Sequence, residues 1–481
     1  MKRILPLILL LAPLLFACNN DTPEQGPRPI VTWDEASGRY RIYTNEALTL
    51  VPKITHTDES TGYVWLLKGQ VVSGSATYTF TTSQAGQYFL TLRVSNRYGT
   101  TEEEVKITVE EAETSEVPTI LPNDTVFRWH FPWSEINMAL GRSLHIRPYF
   151  VENAQGAKAQ WTVDGTPVEG EGLSLVFQAT TKGRHVVELR LTGDTLRAAK
   201  QLIVNVCPPA GTHRRTSSGE ALVNRIYEYM PAPGHQVNGY IIVGESFPPG
   251  CTHEQACDSV MAHFRRNWMV SLGAQGGYLV AGFDHSVPTA SGGELVIKGN
   301  PYSYQSEPGI IWVSQDDNGD GLPNDQWFEL AGSEYGTANH TTDYAIRYQR
   351  PTQNRSATAW VDEEGRTDIV PYMSYWNPSL TYWQPWVEGT ERIYYGSRLE
   401  SHHTYVNGSS NIPPYAWGYA DNKGSDYTDL GRYSIANART WDGQPAHLEY
   451  IDFVRIQTAQ AGHTPNLGEI STEVYSIRAN E

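Results

Sequence analysis

The chain has 481 residues and a formal net charge of −17, with only 19% of its residues charged. That acidic balance argues against nucleic acid or anionic lipid headgroups as partners. The length suits about three domains, and 28 Tyr, 14 Trp, 42 Gly and 29 Pro, with hardly any long helical periodicity, point to an all-β protein rich in turns.

At the N-terminus, Lys2-Arg3 precedes an apolar run from Ile4 to Phe16, then Ala17-Cys18 and Asn19-Asn20-Asp21. This is the pattern of a signal peptide, too short to persist as a spanning helix. The Leu15-Phe16-Ala17-Cys18 ending resembles a bacterial lipobox, which implies that segment 1–18 ends at a lipidated Cys18. Residues 19–29 then read as a tether, and membrane attachment is expected through the lipid alone.

Residues 30–113 show short alternating strands: Tyr63-Val64-Trp65-Leu66, Ala76 to Phe80, Gly86 to Asn96, and Glu104 to Val109. A tryptophan in an early strand, followed two strands later by the G-x-Y-x-L run from Gly86 to Leu90, resembles the PKD-type immunoglobulin-like sandwich. Residues 114–207 repeat the plan: Gln160-Trp161-Thr162-Val163 answers the Trp65 strand, and Gly183 to Leu191 answers Gly86 to Val94. Two tandem sandwiches acting as a spacer are expected, with Trp65 and Trp161 in their cores.

Residues 212–481 read as one larger jelly-roll β-sandwich. A helix is expected over Thr252 to Trp268, with Thr252 as N-cap, Glu254 in the first turn, and Ala256, Val260, Met261 and Phe264 at helical spacing. Strands are expected at Gly277–Phe283, Gly293–Lys298, Gly309–Ser314, Tyr344–Tyr348 and Ile451–Ile456. Of Cys207, Cys251 and Cys257, the last two lie close enough in sequence to bridge, or all three are buried thiols. Only His253 lies near them, too few ligands for zinc.

Within this domain, Asp316-Asp317-Asn318-Gly319-Asp320-Gly321-Leu322-Pro323-Asn324-Asp325 places oxygen donors at alternate positions and a glycine at the sixth. That is the first half of a calcium loop. Asp316, Asn318, Asp320, the Leu322 carbonyl, Asp325 and Glu329 are its candidate ligands. Trp327 stands at position twelve and a strand, not a helix, precedes the loop, so it is no EF-hand. The alternative is a polar turn between two strands.

The densest aromatic stretch is Tyr372, Tyr375, Trp376, Tyr382, Trp383 and Trp386, interspersed with Pro371, Pro378 and Pro385. Proline at this density favours a long loop. Its rings suit a corrin or sugar rings, unless they pack onto the sandwich as a satellite core. His402, His403, Tyr415 and Trp417 extend the same candidate rim, and His402 is a candidate cobalt ligand. Asp284-His285 lacks a nucleophile motif and reads as a strand-end histidine bonded to a neighbour. Asp452, Glu469 and Glu473 could pair for glycoside hydrolysis, yet their alternation looks structural. No catalytic role is expected of the chain.

Several segments taken in order resemble the PKD-containing cell-surface lipoproteins of gut Bacteroidetes. They are Val270-Ser271-Leu272-Gly273, Gly282 to Val287, Ser306 to Val313, the acidic loop through Ser333, Trp417 to Asn422, Tyr450 to Ala459, and Leu467 to Val474. The resemblance implies a surface-exposed lipoprotein that binds a cobamide such as vitamin B12. Cobalamin would be cargo, delivered to an outer-membrane TonB-dependent transporter. The alternative is a calcium-dependent carbohydrate-binding surface protein using the same aromatics.

Overall fold

The computed structural model describes residues 26–33, 39–44, 46–110, 127–194, 197–216, 219–237, 247, 250–290, 293–302, 305–373, 381–406, 409–423, 431–464 and 468–480. The leader with Cys18, and the aromatics Tyr375 and Trp376, lie outside the described residues. The chain divides into two compact units, Met1–Ala112 and Glu113–Glu481. Nearly all regular structure is β, as composition and punctuation suggest. Among the described residues, no helix is long and apolar enough to cross a membrane.

The first unit is built on a five-stranded sheet ordered Arg39–Tyr43, Gly99–Glu110, Gly86–Asn96, Gly62–Leu67, Gln70–Ser73. Its first pair is parallel and the other pairs are antiparallel. Alternation along Gly86–Asn96 turns Leu90, Leu92 and Val94 inward. Trp65 stands opposite Leu92 in register, is fully buried, and donates its indole N–H to the Ser75 carbonyl at 3.0 Å.

The second sandwich repeats this topology strand for strand. Its sheet runs Glu135–Leu140, Arg197–Pro209, Gly183–Thr192, Lys158–Val163, Thr166–Val168, again with a parallel first pair. Trp161 faces Leu189 as Trp65 faces Leu92. The repeat legible in the sequence is thus a repeat of register and core. This sandwich belongs to the same compact unit as the larger domain, and polar contacts run between them: ion pairs from Arg142 to Asp317 at 2.7 Å and from Arg347 to Glu152 at 2.8 Å, and a hydrogen bond between His145 and Asp343 at 2.8 Å.

The larger β-sandwich centres on a six-stranded antiparallel sheet ordered Arg225–Met230, Tyr278–Pro288, Tyr450–Thr458, Gly309–Ser314, Trp327–Leu330, Ala438–Arg439. A core of Leu279, Ala281, Phe283, Ile311, Val313, Val454 and Ile456 joins it to the helix and to a three-stranded sheet, Gly431–Tyr433, Leu295–Lys298, Ser476–Ala479. A four-stranded sheet, Thr367–Val370, Thr358–Asp362, His340–Gln349, Glu391–Leu399, carries a second core. The helix spans His253–Arg265. Thr252 caps it in a capping box with Gln255, as the sequence pattern suggests. It stops short of Trp268 because Asn267 takes a positive φ of 54°, which a helix interior excludes.

Candidate functional site

The acidic loop bridges two strands of the six-stranded sheet, Gly309–Ser314 and Trp327–Leu330. Its first half folds on itself. Asp316 accepts from the N–H groups of Gly319 (2.7 Å, Oδ1) and Gly321 (2.9 Å, Oδ2), both glycines at positive φ. Asn318 Oδ1 accepts from Asp320 N–H, and Asp320 Oδ1 accepts from Leu322 N–H at 2.8 Å. Asp320 Oδ2 takes the side-chain amides of Asn318 and Asn324. Short Asx side chains bonding the backbone ahead of them explain this half by turn chemistry alone.

Asp325 does not fit that account. It is 1% exposed, and neither of its carboxylate oxygens closes a hydrogen bond; the same holds for Asp317 Oδ1. The Asp317 amide lies near enough to offset a little of the cost without reaching bonding geometry. Burial, then Asp317 and Asp316 beside it, push the Asp325 carboxyl up to about 9. Burial likewise lifts Asp317 to about 6 even though Arg142 pairs with its other oxygen.

Glu329, expected among the ligands, is elsewhere. It sits in the Trp327–Leu330 strand and accepts from His340 Nε2 at 2.7 Å and Ser397 Oγ at 2.5 Å. Strand alternation turns it into a pocket of its own, which loop spacing could not reveal. Leu322 is exposed at the loop tip.

The aromatic stretch separates into buried and exposed parts. Tyr372, Tyr382 and Trp383 belong to the core of the four-stranded sheet, against the expectation of a stacking rim. Tyr372 stacks on Tyr382 at 5.2 Å, and the Trp383 indole N–H is spent on the Val387 carbonyl. Half-buried Trp386 packs edge-on to Phe247 at 4.9 Å. Tyr415 is buried too, taking Gln460 Nε2 on its hydroxyl, which itself donates to the Glu400 carbonyl. Tyr372, Tyr382 and Trp383 pack onto the sheet because these rings bury more apolar area there than at a rim.

The surface retains Trp417 at 49% and Tyr405 at 45% exposed. Just before Tyr405 in the sequence, His402 stands edge-on to Tyr415 at 4.5 Å and shares a hydrogen bond from Nε2 with the Pro413 carbonyl at 2.7 Å. His403 bonds Ser401 Oγ at 2.8 Å, and burial, helped by His463, lowers its pKa, keeping the imidazole neutral.

The carboxylates considered for hydrolysis fall into three separate structural roles. Asp452 accepts from Arg215, from Ser286 Oγ at 2.6 Å and from the Asp316 N–H at 2.8 Å. Glu469 accepts the His235 N–H and bonds its ring at 2.8 Å. Glu473 joins Glu307 and Asp421, with one carboxylate oxygen of each lying within 4.8 Å of the others. Burial lifts Glu307 to about 7 and holds Asp421 and Glu473 well above the usual carboxylate range; Glu307 raises both of these further, while hydrogen bonds to Glu473 draw Glu307 and Asp421 partly back down. Residues this far apart in sequence gave no local signal of the triad. Asp284 and His285 bond each other at 2.6 Å with His285 buried, but they lie at a bulge within the continuous strand Tyr278–Pro288 and not at a strand end.

Cys251 and Cys257 are separate buried thiols, so the bridge allowed by their spacing is absent. The helix cap between them turns Cys251 Sγ to the Thr252 carbonyl, while Cys257 faces His253 one turn away.

No curated protein matches the chain by sequence. Among solved structures, the titin domains z1z2 in complex with telethonin share 14% identity at a TM-score of 0.15, covering 38% of this chain and all but 2% of that one. The fibronectin(III)-like modules of Clostridium thermocellum CbhA share 13% identity at a TM-score of 0.16, covering 39% of this chain and 100% of that one. Residues 28–96 match the family model of the PKD-like domain, so the first sandwich of this chain is PKD-like.

Proposed function

We propose that the chain is a non-catalytic surface lipoprotein that captures a cobamide and passes it to an outer-membrane transporter. The ordered motifs from Val270 to Val474 and the lipobox-like leader support this reading. The observation that carries it is the stretch from His402 to Trp417. There Tyr405 and Trp417 keep their rings exposed, and His402 packs edge-on against the buried Tyr415. Flat apolar faces held on a rigid support bind a large planar ligand at low entropic cost, and neutral imidazole is the form that ligates a metal-centred ring. The buried Tyr372, Tyr382 and Trp383 then do not touch the ligand.

Calorimetry with cyanocobalamin and a glycan panel tests the reading. Cyanocobalamin should bind, and Trp417→Ala should weaken binding about tenfold or more, as removal of an exposed anchoring ring does. Heat from a glycan with none from cyanocobalamin would replace the cobamide by a carbohydrate.

A further inference from the structure

Strand Glu391–Leu399 is the edge of the four-stranded sheet, and a cavity of about 390 Å³ lies beside its first residues. The lining comes from three parts of the unit: Arg392 and Tyr395 from the edge strand, Tyr278 and Arg455 from the six-stranded sheet, and His130 from the second sandwich. Two guanidiniums therefore share one cavity. Arg455 donates Nη2 to the Tyr395 carbonyl at 2.6 Å and lies 4.1 Å from the centre of the Tyr278 ring. Arg392 closes no hydrogen bond among the described residues, and the buried Nε of each arginine has no acceptor. The acids around them are engaged with other groups. Glu391, in the same lining, faces Arg347 at 3.9 Å, and Glu228 takes the Tyr278 hydroxyl at 2.6 Å. Burial pulls Arg455 below the ordinary guanidinium value, opposed by Tyr278 and Glu228. A guanidinium keeps its charge even so, and a buried charge without a counter-charge is stabilised by an anion.

We infer that this cavity binds a small molecule through a carboxylate or phosphate group, with Arg392 and Arg455 as its cationic contacts. The planar fork of a guanidinium matches the paired oxygens of either oxyanion. His130 adds a donor: burial, helped by Lys200, lowers its pKa, and a neutral imidazole keeps one N–H. The cavity has the volume of a small-molecule site, and the rings of Tyr278 and Tyr395 give it apolar wall for the body of the ligand. The two guanidiniums repel a cation from the same place. None of residues 402–417 lines the cavity, so the site goes beyond the cobamide reading and does not depend on it.

Calorimetric titration of inorganic phosphate and, separately, of acetate into the full chain in a chloride buffer tests the inference. At least one of them should bind once per chain, and the tighter of the two tells a phosphate ligand from a carboxylate. Arg392→Gln removes the charge and keeps a polar side chain of similar reach. It should weaken that binding by about tenfold or more, as loss of one member of a close charge pair does. Binding of neither anion, or undiminished affinity in Arg392→Gln, overturns the site. Arg392 holds no hydrogen bond among the described residues, so the variant should melt as the wild type does. Should it fail to fold, amide exchange of the wild-type chain followed by mass spectrometry decides. The bound anion must then slow exchange in segment 391–395, and unchanged exchange there overturns the site.

Discussion

Glu473→Gln should flatten the pH dependence of stability in the second unit. Glu473, Glu307 and Asp421 crowd their carboxyls together, with Glu469 adding negative charge to Glu307 and His235 opposing it. Asn300 supplies its backbone N–H to Asp421 at 2.7 Å, and its side-chain amide reaches both Asp421 and Glu473 once oriented as donor. Each acid is raised in the folded state, so the folded chain binds more protons than the unfolded chain above the ordinary carboxylate pKa. Stability therefore falls as pH rises, beginning near 4.5 and continuing through the raised values. For Glu307, a rise from 4.5 to about 7 corresponds to roughly 3 kcal/mol at about 1.4 kcal/mol per unit. In a unit of this size that is a fall of roughly 5 °C in Tm between pH 5 and pH 8. Glutamine does not titrate and can still donate a hydrogen bond to Glu307 or Asp421, as protonated Glu473 does. Thermal melts of both proteins in chelator at a series of pH values provide the assay. Asp317 and Asp325 are common to the two, so the difference between the curves isolates the triad. Parallel curves from pH 5 to pH 8 would refute the reasoning.

Trp65→Ala should cost the first unit about 3–5 kcal/mol, the usual loss for a fully buried tryptophan; urea unfolding followed by domain-resolved proteolysis should show residues 26–110 becoming susceptible first. Burial pushes the Cys257 thiol up to about 12 and Cys207 up to about 11, and raises Cys251 as well. These thiols should be silent to a disulfide reagent in the native chain, and all three should react once it is denatured. A single reactive body thiol under denaturing conditions would mean that Cys251 and Cys257 are bridged.

Local pattern was enough to reveal both immunoglobulin-like sandwiches. The period-two alternation that buries Leu92 opposite Trp65 and Leu189 opposite Trp161 is written in neighbouring residues, and the repeated Trp and G-x-x-x-x-x-L runs announce the shared topology. The helix start at Thr252 was equally local, because a cap is made within one turn. The acidic loop was also visible, since Asx turns and positive-φ glycines act over a few residues. Tertiary packing alone decided what those features serve. The rings of Tyr372, Tyr382 and Trp383 could face solvent or core equally well until the four-stranded sheet claimed them. Glu329 left the loop's reach because its strand points it at His340 and Ser397. Asp317 and Asp325 became a buried pair against the second sandwich, and Glu307, Asp421 and Glu473 met across the larger one. Burial and charge proximity between distant segments depend on how sheets stack, and no spacing within a single segment encodes that.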